Sequence, residues 1–162
     1  MELFLIRHAD ALALGERGIT HDEDRPLSER GETQARVVGG SLRRRGIHLD
    51  RIVTSPLLRA RQTAEEIVRV WSPPLPEIHV SPELAPKGRR KKLSRFLRGL
   101  GVESVALVGH QPDLGELTAW LIGSRKDQVD FAKAGVAQIA CPDGPGKGLG
   151  TLLLLLTPDW LG

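Results

Sequence analysis

Leu3-Phe4-Leu5-Ile6-Arg7-His8 opens the chain with an apolar run that ends abruptly in a basic pair. The run is too brief for a helix and fits a buried strand. The same kind of run recurs: Arg51–Thr54 is a second strand, Ile78–Val80 a third and Ser104–Val108 a fourth. Helical stretches lie between them. Ser28 can cap a helix that lines up Leu27, Gly31, Ala35, Val38 and Leu42 on one face and stops near Gly46. Ser55-Pro56 supplies a cap and a first-turn proline for a helix carrying Ala60, Ala64, Ile67, Val68 and Trp71 inward until Pro73-Pro74 ends it. The basic segment after Pro86 forms a third helix, and Gly109-His110-Gln111-Pro112 turns into a fourth that runs to about Gly123. Val136–Cys141 and Thr151–Leu156 read as two further strands joined by a Pro/Gly-rich loop. This alternation predicts an α/β fold: a three-layer α/β/α sandwich on a mostly parallel central sheet.

Size and composition agree with one such domain spanning residues 1–162, since the chain is long enough for a real core and short for two. An apolar fraction of 40% and a charged fraction of 27% are those of a globular protein and exclude disorder as the dominant state. The longest apolar run, Leu152–Leu156, falls far short of the ~20 residues of a membrane-spanning helix. Met1-Glu2-Leu3-Phe4 leads straight into a strand with no signal-peptide pattern, so a cytoplasmic protein without a membrane association is expected. Cys141 is the single cysteine, which rules out an internal disulfide and fits a reducing compartment. A monomer is expected.

In mostly parallel sheets, ligands bind beyond the carboxyl ends of the strands. There the first strand delivers Arg7 and His8, the second leads to Arg59 one turn into its helix, and the fourth delivers His110. Two arginines and two histidines around a helix N-terminus make an anion site, because guanidinium forks and free backbone N–H groups both match phosphate oxygens. A histidine inside such a site, kept neutral by the surrounding cations, can attack phosphorus and carry the phosphoryl group covalently. Which of the two histidines attacks is left open by this chemistry. No metal or cofactor is required. Any one of these short motifs alone is more often structural; their placement on successive strand ends is what carries the reading.

Leu5-Ile6-Arg7-His8-Ala9-Asp10, Arg25-Pro26-Leu27-Ser28, Ser55-Pro56-Leu57-Leu58-Arg59-Ala60-Arg61-Gln62-Thr63-Ala64 and Val108-Gly109-His110-Gln111-Pro112 together resemble the histidine phosphatase superfamily. Within it they are most similar to the small bacterial phosphohistidine phosphatases of the SixA type. The resemblance covers Met1 to about Leu121 and implies that His8 is the nucleophile, with Arg7, Arg59 and His110 holding the phosphoryl group. The chain departs from the family pattern twice. Ala9 follows the Arg-His pair where the family has glycine. The glutamate acid of ester-cleaving members has no counterpart, since the matching stretch reads Leu84-Ala85-Pro86. The nearest carboxylates are Glu83 and Asp10, and Asp10 is also a candidate for substrate binding and for orienting water.

An alkoxide leaving group needs a proton, typically worth about 10²–10⁴-fold in rate, whereas transfer of a phosphoryl group between two imidazoles makes a smaller demand. The missing acid therefore favours P–N over P–O substrates. The stretch between Arg59 and His110 holds only a helix end, a strand and the basic helix, with no insertion to close over a small substrate. The expected activity is that of a phosphohistidine phosphatase in signal transduction, acting on a phosphorylated protein of the histidine-phosphotransfer type. The alternatives are a broad small-molecule phosphomonoesterase or mutase-like enzyme using Glu83 as acid, and a non-catalytic phosphate- or polyanion-binding module.

Lys87, Arg89, Arg90, Lys91, Lys92, Arg95 and Arg98 crowd one segment without an acid, in a chain of net charge +3. Phe96 is the one aromatic in that segment, so no stacking platform for single-stranded nucleic acid exists and no nucleic-acid partner is expected. The segment reads as a solvated helix face or as a surface that steers an acidic protein. Gly144–Thr151 matches neither a Walker motif nor GxGxxG and is read as a flexible hairpin loop. His21-Asp22-Glu23-Asp24 is read as a solvated loop on the substrate side rather than a metal site. His48 and His79 are placed at the surface or a strand edge, and Trp71, Trp120 and Trp160 in core or domain-edge packing.

Overall fold

The computed structural model describes residues 1–124 and 129–161. Six strands form one sheet: β1 (Glu2–Arg7), β2 (Arg51–Thr54), β3 (Glu77–Val80), β4 (Ser104–Gly109), β5 (Val136–Ala140) and β6 (Thr151–Leu156), in the order β3-β2-β4-β1-β5-β6. β1 through β4 run parallel, while β5 is antiparallel to both β1 and β6. The helices are α1 (Glu29–Arg44), α2 (Leu58–Arg69), α3 (Arg90–Arg98) and α4 (Asp113–Leu121).

Alternation along the central strands builds two cores. Phe4, Ile6, Ile52, Ala106 and Val108 face α1 and α2, where they meet Ala35, Val38, Leu42, Ala60, Ala64 and Ile67. Leu3, Leu5, Val53, Val105 and Leu107 face α3 and α4 and pack on Leu93, Leu97, Leu114, Leu117 and Leu121. The interiors of β1 and β4, residues 3–6 and 105–108, are apolar because both of their faces are covered. Truncating a fully buried residue such as Leu107 would cost about 2–5 kcal/mol.

Local chemistry sets most boundaries. The Ser28 side chain accepts from the Gly31 amide and caps α1 as its sequence suggests. α2 differs from expectation. It begins at Leu58 with Leu57 as its N-cap residue and no side-chain cap, because the Ser55 hydroxyl is turned to the Leu57 amide and to His110. It also closes at Arg69, before the prolines are reached. The Gly144–Gly150 connection is not a loose hairpin. Pro145 O accepts from Ser94 Oγ and Arg98 Nε, and the Gly148 and Gly150 amides donate to Trp120 O and Leu121 O. Trp71 and Trp120 are half-buried, but Trp160 is 76% exposed rather than packed. His48 and His79 are exposed, as their positions suggest, with His79 stacked on Phe96.

Register fixes the geometry of one rim. Arg7 pairs with Gly109 and Thr54 with Val108 in parallel ladders, so the residues that follow leave the sheet side by side. The ladder continues one step past the strand ends: His8 N donates to Gly109 O at 2.9 Å and Ser55 N to Val108 O at 3.0 Å.

Candidate active site

Three strand ends and one helix bring His8, His110 and Arg59 together. The imidazole centroids lie 5.1 Å apart with their planes inclined by 52°. Both rings are buried, His8 at 8% exposure and His110 at 3%. A substrate must bring a thin protruding group down to them.

The protonation state of His8 follows from its partners. Nδ1 lies 2.8 Å from the Ala9 carbonyl, which can only accept, so Nδ1 carries the hydrogen and Nε2 keeps its lone pair. Arg59 Nε donates to that Nε2 at 3.3 Å. Burial, reinforced by the positive charges of Arg59, Arg7 and Lys133, lowers the His8 pKa to about 4 against the opposing pull of the Ala9 carbonyl. His8 is thus a neutral imidazole with its Nε2 lone pair available throughout the physiological range. His110 is lowered further, to about 3, by burial and by His8, Arg59 and Arg7, with Asp22 opposing. Its Nε2 is 2.8 Å from Ser55 Oγ, while its buried Nδ1 has no hydrogen-bond partner among the described residues.

Each nitrogen of Arg59 makes a hydrogen bond. Beyond His8, its Nη1 donates to Asp22 O at 2.7 Å and its Nη2 to Asp22 Oδ2 at 3.0 Å. Asp22 belongs to a short 3-10 turn, Asp22–Asp24, in the polar loop after β1. Its pKa is lowered by the hydrogen bond from Arg25 and, against its desolvation, by Arg59, so it stands as a carboxylate between two guanidinium groups. Arg7 donates through Nη1 to Phe131 O and keeps a buried Nε without a hydrogen-bond partner among the described residues. The strap that follows fixes its backbone: Arg7 N donates to Gly135 O, and Ala134 N to His8 O.

The two candidate acids are not brought into this group. Asp10 accepts from Ser28 Oγ at 2.6 Å through Oδ2 and from Lys133 Nζ at 2.6 Å through Oδ1. Burial pushes its pKa up, but Lys133 and Ser28 outweigh it and hold the group ionised. Glu83 accepts from the Arg89 amide at 3.0 Å and lies 3.8 Å from Lys92 Nζ. It shares with His110, Lys87, Arg90 and Asp113 the wall of a cleft of about 480 Å³ between α3 and α4.

Ala9, where the family has glycine, is buried, and its amide donates to Thr63 Oγ1 at 3.1 Å, so the methyl group is accommodated. In the basic segment, Arg90 pairs with Glu116, Lys92 with Glu83, and Arg98 binds the Pro145 carbonyl. Among the described residues the side chains of Lys87, Arg89, Lys91 and Arg95 make no ion pair or hydrogen bond. No cluster of three or more His, Cys, Asp or Glu able to hold a metal ion occurs among the described residues, nor any helix long and apolar enough to cross a membrane.

Three participants escaped the sequence reading. Ser55 looked like a helix cap, Asp22 like a solvated loop residue, and Lys133 carried no signal because it reaches the site across the sheet from a loop before β5.

Comparison with known proteins places the chain in a family. Residues 3–86 match the profile of the histidine phosphatase superfamily (branch 1). An uncharacterised protein of Picosynechococcus is 38% identical over 99% of both chains. The phosphohistidine phosphatase SixA of Escherichia coli K12 is 32% identical over 91% of this chain and 89% of its own. A solved structure of the protein histidine phosphatase SixA complexed with tungstate superposes with a TM-score of 0.86 at 30% identity, covering 100% of both chains.

Proposed function

The chain belongs to the histidine phosphatase superfamily, and on that footing we propose that it removes the phosphoryl group from a histidine displayed on a partner protein. The observation that carries this reading is the lone pair of His8 Nε2, set against Arg59 and facing His110, with each nearby carboxylate either held ionised or tied to the backbone.

In the first step His8 Nε2 attacks phosphorus as the bond to the substrate imidazole breaks, and the departing ring keeps the electron pair. Arg7, Arg59 and the unpartnered Nδ1 side of His110 face the charge on the equatorial oxygens. In the second step water attacks the phospho-His8 intermediate, the P–Nε2 bond breaks, and the pair returns to His8. Asp10 and Asp22 each have both oxygens occupied, which leaves His110 to orient that water. Asp10 and Asp22 are held as carboxylates, and a substrate ring protonated on its other nitrogen departs as neutral imidazole without taking a proton from them.

The buried rings suit a single side chain projecting from a folded protein. The unpaired cations Lys87, Arg89, Lys91 and Arg95 suit an acidic surface on that partner, raising its encounter rate. The chemistry calls on no metal, so activity should survive a chelator, and a cytoplasmic setting fits the single buried cysteine. One observation favours a second reading, a phosphomonoesterase: Glu83 and His110 line the same cleft.

The test is to trap enzyme with a labelled phosphohistidine domain and map the label. The label should reside on His8, and phosphohistidine should be hydrolysed far faster than simple esters. The opposite preference would refute the proposed substrate class. A folded His8→Ala protein that keeps its turnover would refute the mechanism altogether.

A further inference from the structure

Two buried side-chain nitrogens at the carboxyl end of the sheet have no hydrogen-bond partner among the described residues: Arg7 Nε, at the end of β1, and His110 Nδ1, just past β4. Buried polar atoms are nearly always paired, so such an orphan points to a group that the chain itself does not supply. Arg7 Nε can only donate. His110 Nδ1 donates or accepts according to which ring nitrogen carries the hydrogen. With its pKa at about 3, the ring is neutral and holds one hydrogen, so the choice lies between two tautomers.

Ser55 makes that choice. The residue is 0% exposed, and its Oγ lies 2.8 Å from His110 Nε2 while accepting from the Leu57 amide at 3.3 Å. Among the described residues the hydroxyl hydrogen has no acceptor other than Nε2. Were the hydrogen on Nε2, Ser55 Oγ would accept twice, its own hydrogen would be buried without an acceptor, and Nδ1 would hold an unmet lone pair. With the hydroxyl donating to Nε2, the single unmet group is Nδ1–H, which a ligand oxygen can take. The backbone holds both partners in place. Ser55 N donates to Val108 O at 3.0 Å, extending the Thr54↔Val108 ladder, and His110 O accepts from Leu114 N at 2.9 Å at the start of α4.

We propose that Ser55 is a positioning residue for phosphoryl transfer: its hydroxyl holds His110 as the Nδ1–H tautomer, so that the ring donates a hydrogen bond to the transferring group. The inference rests on reading this rim as a phosphoryl-transfer site. Phosphoryl oxygens carry negative charge and accept hydrogen bonds, so a lone pair turned toward them would repel. With its hydrogen on Nδ1, His110 joins Arg7 and Arg59 as a preorganised donor, its ring centroid 5.1 Å from that of His8. The two histidines are then fixed in the same tautomer by opposite means. An acceptor, the Ala9 carbonyl, sits on Nδ1 of His8 and frees its Nε2 lone pair to attack. A donor, the Ser55 hydroxyl, sits on Nε2 of His110 and frees its Nδ1–H to bind.

Long-range proton–nitrogen NMR of the histidine rings reports which nitrogen carries the hydrogen, and the signals lost in His110→Asn assign that ring. In the wild-type chain near neutral pH, His110 should be protonated at Nδ1 and bare at Nε2, and vanadate should shift the Nδ1–H resonance as it gains an acceptor. Ser55→Ala should release the ring into a mixture of tautomers, weaken vanadate inhibition, and slow phospho-His8 formation about 10–10²-fold, short of the 10²–10³-fold cost of losing an oxyanion donor outright. Ser55→Thr keeps the hydroxyl and should restore the wild-type tautomer. Tautomer and vanadate affinity are read without turnover, so they test Ser55 whatever phosphorylated substrate the chain hydrolyses. A wild-type His110 protonated at Nε2 refutes the proposal. So does a folded Ser55→Ala protein whose His110 tautomer and vanadate affinity equal those of wild type.

Discussion

Lowering the pH from about 7.5 to about 5 should expose the cost of keeping two imidazoles neutral in a buried site. In the unfolded chain each ring takes up its proton near the ordinary value of 6.5, while in the folded protein His8 waits until about 4 and His110 until about 3. The unfolded state therefore binds more protons over this interval. Stability is fully present above about pH 6.5 and drains as the pH falls toward the folded values. By linkage, each ring accounts for about 2 kcal/mol lost by pH 5, with the pair losing somewhat less than the sum because the two rings titrate together.

Urea unfolding followed by circular dichroism at the two pH values measures the loss in wild type, His8→Asn and His110→Asn. Each variant replaces a titrating ring by a neutral polar side chain, so it should lose about 2 kcal/mol less than wild type across the same interval. The other ionisable groups are shared by all three proteins and cancel in the comparison. The active-site consequence is parallel: phosphorylation of His8 should remain near its plateau at pH 5 and fall by half near 4. A His8→Asn protein with the acid sensitivity of wild type, together with a rate profile falling near 6.5, would refute the neutral buried nucleophile.

Further outcomes follow from the contacts around that ring. Arg59→Lys keeps one charge but loses the fork that spans His8 and Asp22, so phosphoenzyme formation measured by rapid quench should slow about 10²–10³-fold. A rate within a few-fold of wild type would refute the clamp. Asp22→Asn removes the carboxylate that competes with phosphoryl oxygens for Arg59. Because the Asp22 side chain is half-exposed, the gain should be about 1 kcal/mol, seen as roughly five- to tenfold tighter inhibition by vanadate. Unchanged or weaker inhibition would place Asp22 outside the contest. Gly31→Ala would drive a Cβ into the Asp10 carbonyl oxygen, so the loop carrying Asp10 must move and stability should drop by about 1–3 kcal/mol. An unchanged melting temperature would contradict that close approach.

The parts of this site visible in the sequence are those fixed by regular structure. His8 and His110 could be placed on one rim because parallel pairing needs only the strand pattern, and Arg7↔Gly109 register then sets them side by side. Arg59 follows because it stands in the first turn of the helix that leaves the end of β2. What stayed hidden depends on loops. Asp22 comes to Arg59 through a 3-10 turn with no apolar periodicity, and Lys133 meets Asp10 across 123 positions of chain. Ser55 was misassigned for a different reason: serine before proline is a good helix start, and nothing local shows that a histidine from another strand claims its hydroxyl instead. The leucines of β6 could be read as a strand but not as an edge, since the order of strands in a sheet is a tertiary fact.

The free site also constrains how the reaction begins. Arg59 Nε is hydrogen-bonded to the very lone pair that must reach phosphorus, and each terminal nitrogen gives one of its two hydrogens to Asp22. Attack therefore requires Arg59 Nε to leave His8 Nε2 as the guanidinium takes phosphoryl oxygens. A planar cation can do this with little net cost, because charge-assisted hydrogen bonds are replaced by others of the same kind. The exchange gives the arrangement a built-in selectivity. A neutral ligand offers Arg59 no anionic oxygen, so His8 stays capped; a dianionic phosphoryl group does, and releases the nucleophile as it binds.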